Sequence, residues 1–164
     1  MATGFEYISL HASEKDWEYV VTFDADGQMD IADMHTFRDY LEKYPDAKVI
    51  FGSRFIEKTR SNVPWYRRAV LFGGKIFTTL VSGVALTDAH NGYRMMSIDT
   101  VRATRLTMDG MEYASELIDE IMRIGERIHE VPVHIHYDAY TLAKGQRFGG
   151  AWRVATRMLF KKFF

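Results

Sequence analysis

Asp24 and Asp26 flank a single alanine directly after an apolar run, and Gly27 and Gln28 follow them. Two carboxylates and an amide oxygen at one turn are the ligands a hard divalent cation takes; Mg²⁺ commonly adds substrate phosphate to one or two carboxylates. The same residues also read as a plain turn leading to a helix cap, because Asp-x-Asp-Gly is a frequent turn composition. An EF-hand loop counted from Asp24 is excluded, since Met29 and His35 stand where it needs Gly and Glu. A second group is basic. Arg54 closes an apolar run, Arg67 and Arg68 follow Pro64, and Arg94 follows Gly92. Guanidinium forks match phosphate oxygens in pairs. Several arginines at strand ends and turns, near a carboxylate-bound cation, point to a phosphate-rich ligand such as a nucleoside diphosphate or a lipid phosphate. The plainer reading spends each arginine on one of the 22 acidic residues. The six histidines offer no clear metal spacing; His134 and His136 share a strand face and read as a zinc pair or as packing residues.

These side chains need elements to position them. The pattern predicts a helix over residues 3–15, with Phe5, Ile8 and Ala12 on one stripe. Residues 17–23 are β-branched and aromatic and predict a buried strand that ends on Asp24. Asp30 predicts the cap of a helix through Tyr44, with Ile31, Met34, Phe37 and Leu41 facing inward. A second strand spans 48–51 and stops at Gly52-Ser53-Arg54. Further helices are expected over 65–82, 98–106, 113–125 and 151–164, and further strands over 93–97 and 127–136. Strands alternating with helices argue for an α/β fold with a largely parallel sheet. In open α/β sheets ligands bind beyond the carboxyl ends of the strands, where Asp24 and Arg54 fall.

The 164 residues suffice for one domain or part of a larger one. With 47% apolar and 26% charged residues, a disordered, collagen-like or mucin-like chain is excluded. The absence of cysteine excludes disulfides, thiolate zinc sites, iron–sulfur clusters and a cysteine nucleophile. The opening residues do not read as a leader, and no uncharged apolar run is long enough to span a bilayer. The net charge of −1 hides an asymmetry: residues 141–164 hold six of the 21 Lys/Arg and none of the 22 Asp/Glu, which leaves −7 on the preceding body. Trp152, Met158, Leu159 and Phe163 fall on one face of the last predicted helix, away from its four basic residues. That is the pattern of a helix lying on an anionic membrane surface, or of one docked on the core.

Five motifs come in an order that resembles family-2 glycosyltransferases, above all the dolichol-phosphate mannosyltransferase-like group. They are Asp24-Ala25-Asp26-Gly27-Gln28, Gly52-Ser53-Arg54-Phe55, Asn62-Val63-Pro64 with Arg67-Arg68, Asp88 through Arg94, and Glu130-Val131-Pro132-Val133. The resemblance runs from about Gly4 to Gln146 and implies a nucleotide-diphospho-sugar transferase (GT-A-like) α/β domain. It implies transfer of a sugar from a nucleotide-sugar donor to a polyprenyl phosphate acceptor, as in cell wall biogenesis, at the cytoplasmic side of a membrane. Asp24, Asp26 and Gln28 would hold Mg²⁺ or Mn²⁺. Arg54 and Arg68 would contact the acceptor phosphate, Asp88 and Arg94 would shape the floor, and Lys144 and Gln146 would lie on a loop closing over the donor. Residues 1–146 would be the catalytic part and 147–164 the basic helix; no nucleic acid is expected as a partner. The family's first strand, with the Asn-Glu turn that holds base and ribose, has no counterpart in this sequence, so a domain truncated at its N-terminus is expected. Residues 20–22 should then face an open sheet edge, and self-association or a completing chain is expected. The alternatives are a non-catalytic remnant of such an enzyme and a haloacid-dehalogenase-like phosphatase. The phosphatase shares Asp-x-Asp-Gly but differs at Gln28.

Overall fold

The structure is a computed structural model. It describes residues 1–57, 83–108 and 113–137, together with residues 65, 68, 72, 73, 75, 76 and 79, which are helical. The last predicted helix, and with it Lys144 and Gln146, lies outside the described residues.

Helix α1 spans Ala2–His11, and β1 spans Tyr19–Thr22. The Asp30 side chain accepts the Ala32 N–H and caps a 3₁₀ turn, Ile31–Asp33. That turn runs into α2, Met34–Lys43. β2 is Val49–Ser53, β3 is Arg94–Ser97, α3 is Ile98–Ala103, α4 is Tyr113–Arg123 and β4 is Ile128–Pro132. The sheet order is β1-β3-β2-β4. β1 therefore lies at an edge of the sheet among the described residues, with its four side chains half-buried.

The sheet is mixed, which corrects the expectation of a largely parallel one. β2 and β4 run parallel, but β3 is antiparallel to both β1 and β2. The reason lies at the carboxyl end of β2. Gly52 N–H donates to the carbonyl of Tyr93 (2.8 Å), and Asp88 bonds Arg54. The chain thus re-enters the sheet from the end at which β2 left it, and β3 must run back.

Alternation along the strands builds two cores. Val49, Phe51 and Met96 pack on one face with Phe5, Val101, Leu117, Ile118 and Ile121 from α1, α3 and α4. Ile50, Met95 and Tyr93 pack on the other face with Phe37 of α2 and Val131 and Val133. Leu117, Ile118 and Ile121 recur at helical spacing and are fully buried. Each such side chain contributes about 1.5–3 kcal/mol of burial free energy. Two expectations fail here. Ile31 and Met34, placed on the inward stripe of α2, are 71% and 41% exposed, because the 3₁₀ turn shifts the start of the α-helix, whereas Phe37 is fully buried and Leu41 packs half-buried against the same core. The helix expected through Leu106 ends at Ala103, where Thr104 turns extended and donates to the Thr100 and Val101 carbonyls. Among the described residues, no helix is long and apolar enough to cross a membrane.

Candidate active site

Asp24 follows β1 by two residues, and Gly27, at φ +80°, turns the chain back. Thr22 Oγ1 donates to the Gly92 carbonyl (2.6 Å) and ties the end of β1 to the turn before β3. This brings Gly92 against Asp24. A methyl group at Gly92 would stand 2.6 Å from Asp24 Oδ1 and 2.7 Å from Cγ, so the missing side chain is what leaves room for the carboxylate. Asp24 takes no side-chain hydrogen bond among the described residues. Partial burial pushes its carboxyl up, and the neighbouring Asp26 adds to this, while Arg94 and Arg54 pull the other way. Asp26 is exposed, and its Oδ1 accepts the Gln28 N–H (3.1 Å).

The segment after β4 clamps this loop from the other side. His136 N–H donates to the Gln28 carbonyl (2.8 Å), and Met29 bridges Ile135. Asp33, 4% exposed, accepts both the His134 backbone N–H and Nδ1. His134 and His136 stack with ring centroids 6.2 Å apart, but no three metal-ligating side chains converge among the described residues.

Arg54 and Asp88 form the second half. Asp88 Oδ2 accepts Arg54 N–H (3.1 Å) and Nε–H (2.5 Å), and Arg54 Nη1 donates to the Tyr137 hydroxyl (2.6 Å). Burial works against the Arg54 charge, but Asp88 and Tyr137 outweigh it and hold its pKa above the ordinary arginine value. Arg54 Nη2 has no protein acceptor among the described residues. Arg94 lies beneath, 1% exposed. Its Nε donates to the Asn91 carbonyl (2.8 Å) and Nη2 to the Ala89 carbonyl (3.1 Å), with the guanidinium 4.5 Å over the Phe51 ring. Arg94 thus shapes the Ala89–Asn91 turn from below. Burial lowers its pKa, and its Nη1 is left without a partner among the described residues. Burial also lowers the His90 imidazole, with Arg94 and Arg54 adding to the effect against Asp88.

Of the residues predicted from sequence, Asp24 comes within electrostatic reach of Asp26, Arg54 and Arg94, and Asp88 within reach of Arg54 and Arg94, at one end of the sheet. Arg68 is an exposed helical residue with no described contact to them. Trp65, Phe72 and Ile76, at helical spacing with Arg68, are 81%, 62% and 46% exposed. Sequence reasoning missed Tyr137, Gly92 and the role of Glu130. Only their places within or beside the quoted motifs could have flagged them, because their partners lie far along the chain.

No protein-family model matches the chain. It is similar to the undecaprenyl-phosphate mannosyltransferase of Micrococcus luteus, at 29% identity over 124 residues, 73% of this chain and 50% of that protein. It is also similar to the low-salt glycan biosynthesis hexosyltransferase of Haloferax volcanii, at 29% over 161 residues, 95% of this chain and 38% of the relative. A third match is the UDP-N-acetylglucosamine–dolichyl-phosphate N-acetylglucosaminyltransferase of Methanococcus voltae, at 27% over 151 residues, 88% and 59% of the two chains. The similarity supports a glycosyltransferase family. The mixed α/β sheet is compatible with such a fold. The chain spans between 38% and 59% of the length of these three relatives.

Proposed function

We propose that this chain carries the diphosphate- and acceptor-facing part of a transferase that moves a sugar from a nucleotide-diphospho-sugar to a polyprenyl phosphate. What supports this most is the convergence of Asp24 and Asp26 with Arg54, Asp88 and Arg94 at one sheet end, in a chain similar to transferases named for polyprenyl and dolichyl phosphate acceptors.

A divalent cation fits the acidic half. Asp24 has its carboxylate free of side-chain bonds among the described residues, in a cradle that a Cβ at Gly92 would fill, and its charge is raised in energy by partial burial and then by Asp26. Asp24, Asp26 and the Gln28 amide would hold Mg²⁺ or Mn²⁺, which when bound supplies charge neutralisation for a departing diphosphate. Arg54, pre-oriented by Asp88 and Tyr137, would present its Nη2 edge, which has no acceptor among the described residues, to an acceptor phosphate. Arg94 keeps the Ala89–Asn91 turn in place, so that Asp88 and His90 stay where phosphate charge accumulates. In the reaction an acceptor phosphate oxygen forms the bond to the anomeric carbon as the bond to the donor diphosphate breaks, and the diphosphate leaves with the electron pair. The nucleophile is already an anion, so no strong general base is required.

Arg68, Lys144 and Gln146 belong to this proposal as further substrate contacts, the first from its exposed helical position. So do peripheral membrane attachment, through residues 147–164 and the exposed Trp65 face, and pairing of the β1 edge with a second copy or a completing chain. The test is calorimetric titration of Mn²⁺ with and without a nucleoside diphosphate. Binding is expected to be weak alone and tighter with the diphosphate, and lost in Asp24→Asn and in Asp26→Asn. Unchanged binding in both variants overturns the assignment.

A further inference from the structure

We infer that Glu130 is a positioning residue for Arg54: it fixes the Thr87-Asp88 turn from β4, and through Asp88 it sets the direction of the Arg54 guanidinium. Its carboxylate reaches across to a turn remote in sequence and takes every donor that turn offers. Oε1 accepts the Thr87 N–H (2.9 Å), the Thr87 hydroxyl (2.9 Å) and the Asp88 N–H (3.0 Å), and Oε2 accepts the Thr87 N–H at 2.8 Å. A carboxylate only accepts, which sets the direction of the whole chain. With the Thr87 hydroxyl donating to Glu130, Ser53 Oγ must donate to Thr87 Oγ1 (2.6 Å), and Ser53 Oγ in turn accepts Phe55 N–H (3.2 Å). The carboxyl end of β2, the turn and β4 are thus tied at a single anion.

The consequence falls on Arg54. Its two bonds to Asp88 hold only if the Asp88 backbone is fixed; Arg94 holds the turn that follows, and Glu130 takes the Thr87 and Asp88 N–H groups themselves. Ser53, also held through Thr87, is the residue before Arg54 and is fully buried. Glutamine at 130 keeps the length and one acceptor oxygen but turns an N–H₂ toward the Thr87 N–H, donor against donor. Thr87→Val removes one donor and the link to Ser53 while leaving both backbone bonds.

The test reads Arg54 directly. In protein labelled with ¹⁵N-arginine, the Arg54 Nε–H, bonded to Asp88 and largely buried, should give a protected cross-peak, assigned by its loss in Arg54→Lys. Glu130→Gln should shift or broaden that peak, and Thr87→Val should do so to a smaller degree. The second arm rests on the transferase reading and uses farnesyl phosphate as a soluble acceptor probe. Glu130→Gln should weaken its binding about tenfold, the size of one charge-assisted hydrogen bond, and move Mn²⁺–nucleoside diphosphate binding less than about twofold. An unmoved Arg54 peak in both variants overturns the inference, and Thr87→Val decides alone if Glu130→Gln does not fold. Equal weakening of both ligands overturns the specific link to Arg54. If wild-type protein fails to bind farnesyl phosphate while the peak still moves, the positioning stands and the acceptor reading falls.

Discussion

Asp24 carries a charge that its surroundings oppose. Burial and Asp26 raise its carboxyl, so the folded state holds this proton more tightly than the unfolded chain does. The sign follows: the fold loses stability as pH rises from the ordinary carboxylate value through the raised one, and regains it when the group is protonated or a cation arrives. Because Asp24 is exposed, the loss is screened and amounts to about 0.5 kcal/mol or less. Asp24→Asn should therefore leave the protein as stable or slightly more stable at neutral pH, with a flatter stability profile as pH rises from the ordinary carboxylate value toward neutrality, and insensitive to Mn²⁺. Thermal melts across that range, with and without Mn²⁺, check this. Gly92→Ala separates space from charge. The new methyl would meet the end of a short side chain, which can rotate away, so the melting temperature should move only a few degrees, about 1 kcal/mol. The carboxylate would nonetheless leave its place, and Mn²⁺ affinity should fall about tenfold or more. Retained Mn²⁺ affinity in Gly92→Ala would show that the cradle is incidental.

At the scale of elements, the link between the start of α2 and the segment after β4 should be separable from the core. Asp33 is buried and accepts two donors of His134. Asp33→Ala leaves a backbone N–H and an imidazole without their acceptor and should cost about 1–3 kcal/mol in urea denaturation. It should also speed amide exchange at His136, whose N–H bonds the Gln28 carbonyl; slow exchange there in the variant would mean that the Met29–Ile135 bridge suffices alone. Much of this framework was legible in the sequence. The apolar β-branched runs marked β1 and β2, and Asp30 marked the cap before α2, because each signal is local. Strand direction was not legible, since it depends on Tyr93 returning to Gly52 across the carboxyl end of β2. The exposure of Ile31 and Met34 was hidden for a related reason: a 3₁₀ turn and an α-helix share a cap but not a period. Among the candidate site residues, residue types gave Asp24, Asp26, Arg54 and Arg94, and the family resemblance added Asp88. The contacts of Gly92, Glu130 and Tyr137 are tertiary, and no spacing rule encodes them.

For the molecule as a whole, the proposed lipid phosphate acceptor requires the polar sheet end to meet a membrane surface. Among the described residues no helix is long and apolar enough to cross one, and the proposed attachment is peripheral. Trp65, Phe72 and Ile76 expose an apolar face at helical spacing, and Arg68 lies on it. Such a face has the composition of an interfacial helix, whose binding adds buried apolar area to attraction for anionic lipid. Two large aromatic side chains entering the headgroup region contribute about 1.5–3 kcal/mol each at full burial. Removing both should therefore weaken partitioning at least tenfold, while the basic residues of 141–164 keep a residual attraction that salt screens. The expected outcome is that co-sedimentation with vesicles rises with their phosphatidylserine content, and that Trp65→Ala combined with Phe72→Ala lowers it at every composition. Salt should release the double variant more completely than the parent, since only the electrostatic part is left to it. Partitioning that ignores both lipid charge and the aromatic pair would place this face against protein instead, and would require the acceptor phosphate to reach Arg54 by another approach.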